Sequence, residues 1–233
     1  MLALALVCAL LQEDQALATF RKSYANPKAE DRSEAVRALG ASHGPKVASA
    51  LGEVIARDPA PEVRVIAARI LGQFGDFAPK AAAILLTALG SNKDESVLAQ
   101  IFKSLGELKE ESAAPTVNRG FEAKETSVSE AAVQAAGAIR HRSSIEPLIE
   151  LLLKLEREGN LSKTAGREAT NGTGLKLPGS ARTDSNKETQ QRQKKLKPAV
   201  VRALQAIARE RFATGRDWSD WWKKNAATFK VEK

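Results

Sequence analysis

Few residues in this chain are of a type that does chemistry. Histidine occurs twice, at His43 and His141, and cysteine once, at Cys8. A metal site or a nucleophile–base pair needs such groups clustered with acids or with each other. Here the two histidines stand far apart in sequence, each in a polar stretch with no cysteine or second histidine nearby. The neighbouring carboxylates Glu110 and Glu111 follow Lys109, a charged turn and not an acid–base couple. No glycine-rich phosphate loop, nucleophile elbow or metal-protease helix is present. Asn171-Gly172-Thr173 fits the glycosylation acceptor pattern, a three-residue match common by chance. These residues predict no catalytic centre, no cofactor and no metal, so the chain's work falls to its surface.

Three tryptophans form the other conspicuous group. Trp218, Trp221 and Trp222 stand at i, i+3 and i+4 after Asp217, which reads as a helix cap, so one helix face carries all three. Such a face can stack bases, grip a sugar or hold a peptide. It can equally close the open end of a stack of repeats, and that is the expectation here.

The elements behind these residues repeat. Gly40, Gly72, Gly106 and Gly137 end similar apolar triplets and are spaced by 32, 34 and 31 residues, a period typical of stacked helical hairpins. Each is followed by a proline, at Pro45, Pro79, Pro115 and Pro147, as if glycine ended one helix and proline opened the next. The first helices share an i, i+1, i+4 stripe: Ala35, Val36 and Leu39; Ala67, Ala68 and Leu71; Ile101, Phe102 and Leu105; Ala132, Val133 and Ala136. The second helices carry Leu51, Val54 and Ile55, then Leu85, Leu86 and Leu89, then Leu148, Leu151 and Leu152. A hairpin with two apolar faces is stable only against its neighbours.

The run Asp58, Pro59, Val63, Arg64, Ala67, Ala68, Leu71, Gly72, with its weaker copies, resembles the HEAT family, in particular the short bacterial type related to phycobilisome-lyase HEAT-like repeats. The resemblance spans most of residues 15–158. It implies an all-α, right-handed α-solenoid; with the helical register that returns at Val200, Val201, Leu204 and Ile207 the expectation is about five HEAT-like hairpins, a long disordered insert preceding the last. The family's basic residue at the start of the first helix maps onto Arg32 and Arg64, while Leu98 and Ser129 fill the next two places; Lys197 falls in the same register later on. Arg32, Arg64 and Lys197 are therefore the candidate partner-binding residues.

Four segments follow. Residues 1–12 begin with an apolar run too short to span a bilayer and of the length of a secretory signal core. Leu17, Phe20 and Tyr24 read as a helix face packed on the first repeat, which favours a cut near Gln12 over one after Ala18. Residues 13–158 hold the repeats. Residues 159–195, rich in Gly, Ser, Thr, Asn and charge, read as a flexible basic insert. Residues 196–233 read as a capping hairpin that opens at Pro198.

The chain's net charge is +8, but it is uneven. The repeat body carries slightly more acids than bases, and the excess positive charge lies in the insert and the final hairpin. That distribution disfavours a basic groove for nucleic acid. The expected function is a monomeric, non-catalytic scaffold that binds a protein or peptide on the inner face of the second helices. It would be periplasmic or secreted if the N-terminal run is a signal, and cytoplasmic otherwise. The alternatives are a DNA-glycosylase-like HEAT protein on nucleic acid and a chromophore-lyase-like enzyme.

Overall fold

The computed structural model describes residues 2–168 and 181–232, and side chains for 12–160 and 187–232. Every regular element among them is helical. In chain order these are α1 (Leu2–Tyr24), α2 (Ala29–Gly40), α3 (Pro45–Arg57), α4 (Pro61–Leu71), α5 (Ala78–Ser91), α6 (Glu95–Leu108), α7 (Ala114–Arg119), α8 (Thr126–Ile139), α9 (Ile145–Glu168), α10 (Ala181–Ala208) and α11 (Gly215–Asn225).

The even-numbered helices form one layer, α2 on α4, α4 on α6, α6 on α8 and α8 on α10. The odd-numbered helices form the second: α3 lies on α5, and α9 on α11. The second layer is thinnest at its middle, where α7 is only six residues long. Pairs α2–α3 through α10–α11 thus make five hairpins, with α1 packed on α2 and α3 ahead of them.

The first-helix stripe is buried at every predicted position, Ala35 through Ala136. Among the second helices Leu51, Val54, Ile55, Leu85, Leu148, Leu151 and Leu152 are buried, while Leu86 and Leu89 are half-exposed. One continuous apolar cluster runs from Leu17 to Trp218. With each hairpin burying its faces against its neighbours, no central nucleus exists; the core is a seam between the layers.

Gly40 ends α2 and Gly72 caps α4 as expected, but the next two periodic glycines do not end their helices. Gly106 lies inside α6 and Gly137 inside α8; these helices end at Lys109 and Arg140, both left-handed, with φ of 52° and 55°. What the periodic glycines share is contact with the next even-numbered helix. A Cβ on Gly106 would stand 3.0 Å from Ala135 Cα, and one on Gly137 3.1 Å from Ala203 Cα. On Gly72 it would meet Ser104 at 2.8 Å and on Gly40 Ile70 at 2.6 Å. The repeated glycine marks close approach between successive first helices, for which the missing side chain is the requirement. At the second crossing Ser104 also donates from Oγ to Ala68 O at 2.8 Å, joining α6 to α4.

Prolines open α3 and α4 and occupy the first turn of α5 and α7, as expected. Pro198 does not open a helix: it lies inside α10. Its ring is exposed, where the lost backbone donor can be replaced by water. The segment 159–195 is likewise more ordered at its ends than its composition indicates, since α9 runs into it to Glu168 and α10 starts at Ala181. Arg192 donates to Lys124 O and Ala123 O at 3.0 and 3.1 Å, and Gln193 donates to Leu155 O at 3.2 Å. Long polar side chains that favour helix and cover a neighbour's carbonyls replace apolar burial there. The centre of the insert, 169–180 with Asn171-Gly172-Thr173, lies outside the described residues.

Candidate binding surfaces

Ahead of the first hairpin, α1 is tied in by a carboxylate. Glu13 Oε1 accepts from Lys46 N–H at 2.6 Å and Val47 N–H at 3.0 Å, so a residue of one helix caps the N-terminus of another. Glu13 is buried, as are Leu17 and Phe20, and Phe20 stacks on Tyr24 with ring centroids 4.8 Å apart. Sequence reading gave α1 its apolar face and missed Glu13. Its partner donors lie more than thirty residues away, which no local cap motif can show.

Tyr24 leads into a buried polar knot. Its hydroxyl donates to Asp58 Oδ2 at 2.5 Å; Arg32 Nε and Nη2 donate to the same carboxylate at 2.8 and 3.0 Å; Ala60 N–H adds a fourth bond at 2.9 Å. Burial alone would raise the Asp58 pKa, but the Arg32 guanidinium, the Tyr24 hydroxyl and the Ala60 amide together hold it below the usual carboxylate range. Burial, followed by the bond to Asp58, pushes the Tyr24 hydroxyl well above its ordinary value. Arg32 also donates to Pro27 O at 2.7 Å, so the knot fastens the end of α3 to the turn before α2.

The next hairpin repeats the device with a neutral acceptor. Arg64 Nη1 donates to Asn92 Oδ1 at 2.7 Å, and Asn92 Nδ2 donates to Ile55 O and Ala88 O at 3.2 and 2.9 Å. In the places filled by Leu98 and Ser129 the bond changes or vanishes: Leu98 packs against the core, and Ser129 donates to Phe121 O at 2.7 Å. Lys197 pairs with Glu156 at 2.9 Å, whose other oxygen accepts from Gly215 N–H at 3.1 Å.

Arg32, Arg64 and Lys197, the candidate partner-binding residues, thus each have a partner within the chain. Arg32 is buried against Asp58 at the end of α3, Arg64 is half-buried against the neutral Asn92 at the end of α5, and Lys197, still partly exposed, pairs with Glu156 in the middle of α9. Their periodicity reflects a recurring internal brace.

The tryptophans close the far end. Trp218 is fully buried, with Nε1 donating to Phe212 O at 3.1 Å. Trp221 and Trp222 are half-buried, and Phe229 from the tail sits edge-on to both, at 5.5 and 5.8 Å. Arg142 lies 5.6 Å from the centre of the Trp222 ring and donates to Ala226 O. Arg140 donates to Glu232 O at 2.6 Å and to Ala206 O at 2.9 Å, and Arg209 pairs with Glu232. The rings are thus filled by the chain itself, the arrangement expected of a cap. Asp217 is not the cap residue of α11: Thr214 is, accepting from Asp217 N–H at 3.2 Å, while Asp217 accepts from the Thr214 hydroxyl at 2.6 Å.

His43 is exposed and stacks on Phe74 at 4.6 Å, and His141 Nδ1 lies 2.7 Å from Ser143 Oγ in its own turn. Among the described residues no three His, Cys, Asp or Glu side chains gather as a metal site, and no helix is long and apolar enough to cross a membrane.

Among the described residues an open groove of about 1160 Å³ lies between α1, α3 and the start of α5. Its floor carries Leu17, Phe20 and Val54, and its walls carry Arg21, Tyr24, Ala50, Glu53, Arg57 and Lys80. A second hollow of about 600 Å³ runs beside the tail from Lys109 to Glu232.

The family model for HEAT repeats matches twice, at residues 17–105 and 48–126. The chain is a HEAT-repeat protein. No curated protein matches the sequence. Among solved structures, a chain from work on the structural basis of microtubule plus-end tracking by XMAP215, CLIP-170 and EB1 is similar at 16% identity, covering 91% of this chain and 92% of that one, with a TM-score of 0.42. The matched HEAT segment stops at the start of α8, yet α8 to α11 continue the same two layers. Their degeneration is compositional: where Asp-Pro and Val-Arg are lost, small residues such as Ala131, Ala132, Ala135 and Ala136 maintain the helix contact.

Proposed function

We propose that this HEAT-repeat protein is a non-catalytic scaffold that holds a protein or peptide partner along the second-helix layer, chiefly in the groove between α1 and α3. One observation carries the reading. The tryptophan end packs against the chain's own tail and the periodic basic residues each bond within the chain, while the groove stays open, wide and lined by exposed side chains of both signs over an apolar floor. Its volume exceeds the roughly 300–1,000 Å³ usual for small-molecule pockets. A repeat stack offers extended surface of this kind without reactive groups.

The test is quantitative capture with the full chain and with a groove variant, Ala50→Trp, whose indole intrudes into the concavity. A stoichiometric partner retained by the wild-type chain and lost from the variant is expected. The same proteins on both, or none above background, overturns the reading. Duplex DNA bound with a steep salt dependence, or a visible absorption band from a bound tetrapyrrole, would instead favour the nucleic-acid or chromophore-lyase alternatives.

The same proposal includes export, with residues 1–12 removed and Glu13 retained. The position of the cut, not export itself, is supported by Glu13 capping α3: a cut after Ala18 would strip both that carboxylate and Leu17 from the first hairpin. Mass spectrometry of the natively expressed protein should find a first residue at or just before Glu13. An intact Met1 refutes export, and a start after Ala18 refutes the assigned cut.

A further inference from the structure

The groove between α1 and α3 has an electrostatic bias that identifies its occupant. Two of its cations are already matched, Lys46 by Asp14 at 2.6 Å and Arg32 by Asp58 at 2.8 Å. Arg21, Arg57 and Lys80 also line it, are exposed, and make no ion pair or hydrogen bond among the described residues. Glu53 is the one remaining acid of the lining. Elsewhere the repeat body is slightly acidic, so this positive charge is local and not a consequence of overall composition. Low-dielectric walls concentrate such a field on whatever enters.

The groove is not shaped for a uniform polyanion. Glu53 stands among the cations, so an evenly charged phosphate backbone would place charge against it. The floor of Leu17, Phe20 and Val54, with Ala50 and the Tyr24 ring edge beside it, offers apolar contact. A chain that combines carboxylates with apolar side chains and can leave a neutral residue opposite Glu53 meets all of these features.

Resting on the scaffold reading above, we propose that the α1–α3 groove binds an acidic segment of a partner protein, its carboxylates facing Arg21, Arg57 and Lys80 and an apolar residue facing Tyr24 and Ala50. Glu53 sets the register by rejecting an acid at that position.

The test selects peptides from a random twelve-residue displayed library on the immobilised full chain, then measures each synthesised winner by fluorescence anisotropy. The winners should be net acidic with apolar residues. The exposed double reversal Arg57→Glu, Lys80→Glu should weaken them at least ten-fold, while Lys103→Glu on α6 leaves them unchanged, all variants melting with the wild type. Should the double reversal perturb melting, Arg57→Gln, Lys80→Gln carries the comparison and should weaken binding several-fold. Glu53→Gln should relax the exclusion of an acid at one peptide position. Neutral or basic winners, or acidic winners indifferent to the groove variants, overturn this inference and leave the scaffold reading standing. No enrichment at all counts against both. A duplex oligonucleotide weakened by the same reversal, with no peptide enriched, assigns the groove to nucleic acid and overturns the proposal.

Discussion

Replacing Gly106 by alanine should destabilise the protein although it improves the local helix. The new methyl carbon would stand 3.0 Å from Ala135 Cα, 3.3 Å from Ala135 Cβ and 3.6 Å from Ala138 Cβ. Carbon atoms at optimal separation lie about 3.5–4.0 Å apart, so α6 and α8 must part by roughly half an ångström. The main obstruction is backbone, which no rotamer change can move. Overpacking of this kind costs about 1–3 kcal/mol, whereas alanine for glycine within a helix gains about 0.5–1 kcal/mol. The net expectation is a loss near 1 kcal/mol. Gly90 supplies the control: it lies in α5 with nothing within 4 Å of a Cβ, so Gly90→Ala should gain up to about 1 kcal/mol. Urea unfolding followed by circular dichroism measures both, and the two midpoints should move in opposite directions. If Gly106→Ala gains as much as Gly90→Ala, the periodic glycine is not a contact residue and the account of helix spacing given above is wrong.

Asp58→Ala strands the Arg32 guanidinium and the Tyr24 hydroxyl, and should cost about 3 kcal/mol in the same assay; Asp58→Asn, which keeps an acceptor, should cost less. Because the folded-state pKa of Asp58 is depressed, its contribution is complete above the ordinary carboxylate pKa and is lost as pH falls through the lower folded value. The wild type should therefore lose more melting temperature than Asp58→Asn between pH 5 and the acid limit, and equal slopes would refute the role of the carboxylate. Glu13→Ala should cost about 1 kcal/mol by uncapping α3, with loss of hydrogen-exchange protection confined to its first turn and α1. Trp218→Ala should cost about 3–5 kcal/mol and Trp222→Ala clearly less, since only the first ring is fully enclosed; equal costs would contradict the cap.

Legibility from sequence followed the range of the interaction. A helix stripe at i, i+1 and i+4 reports a buried face because its period belongs to the backbone itself, and its recurrence about every 32 residues reports that the face meets its own kind. Five hairpins, the helix carrying Leu17 and Phe20, and a tryptophan cap could be read in this way. The glycines could be located but not explained. Sequence shows that Gly106 recurs in register, and only packing shows that Ala135 stands against it. The internal partners of the basic residues were illegible for the same reason. Arg32 and Arg64 look like a ladder along one face, and their acceptors Asp58 and Asn92 carry no pattern that announces the pairing.

Composition determined that this chain stacks helices and that nearly all its excess charge lies outside the repeats; these follow from side-chain type and period, which need no neighbour. Tertiary structure decided which charges are spent and which remain free. Lys46 and Lys80 are alike in sequence, yet folding brings Asp14 against one and leaves the other alone on the wall of the groove. Charge pairing depends on distance in space, and that distance exists only once the layers have closed.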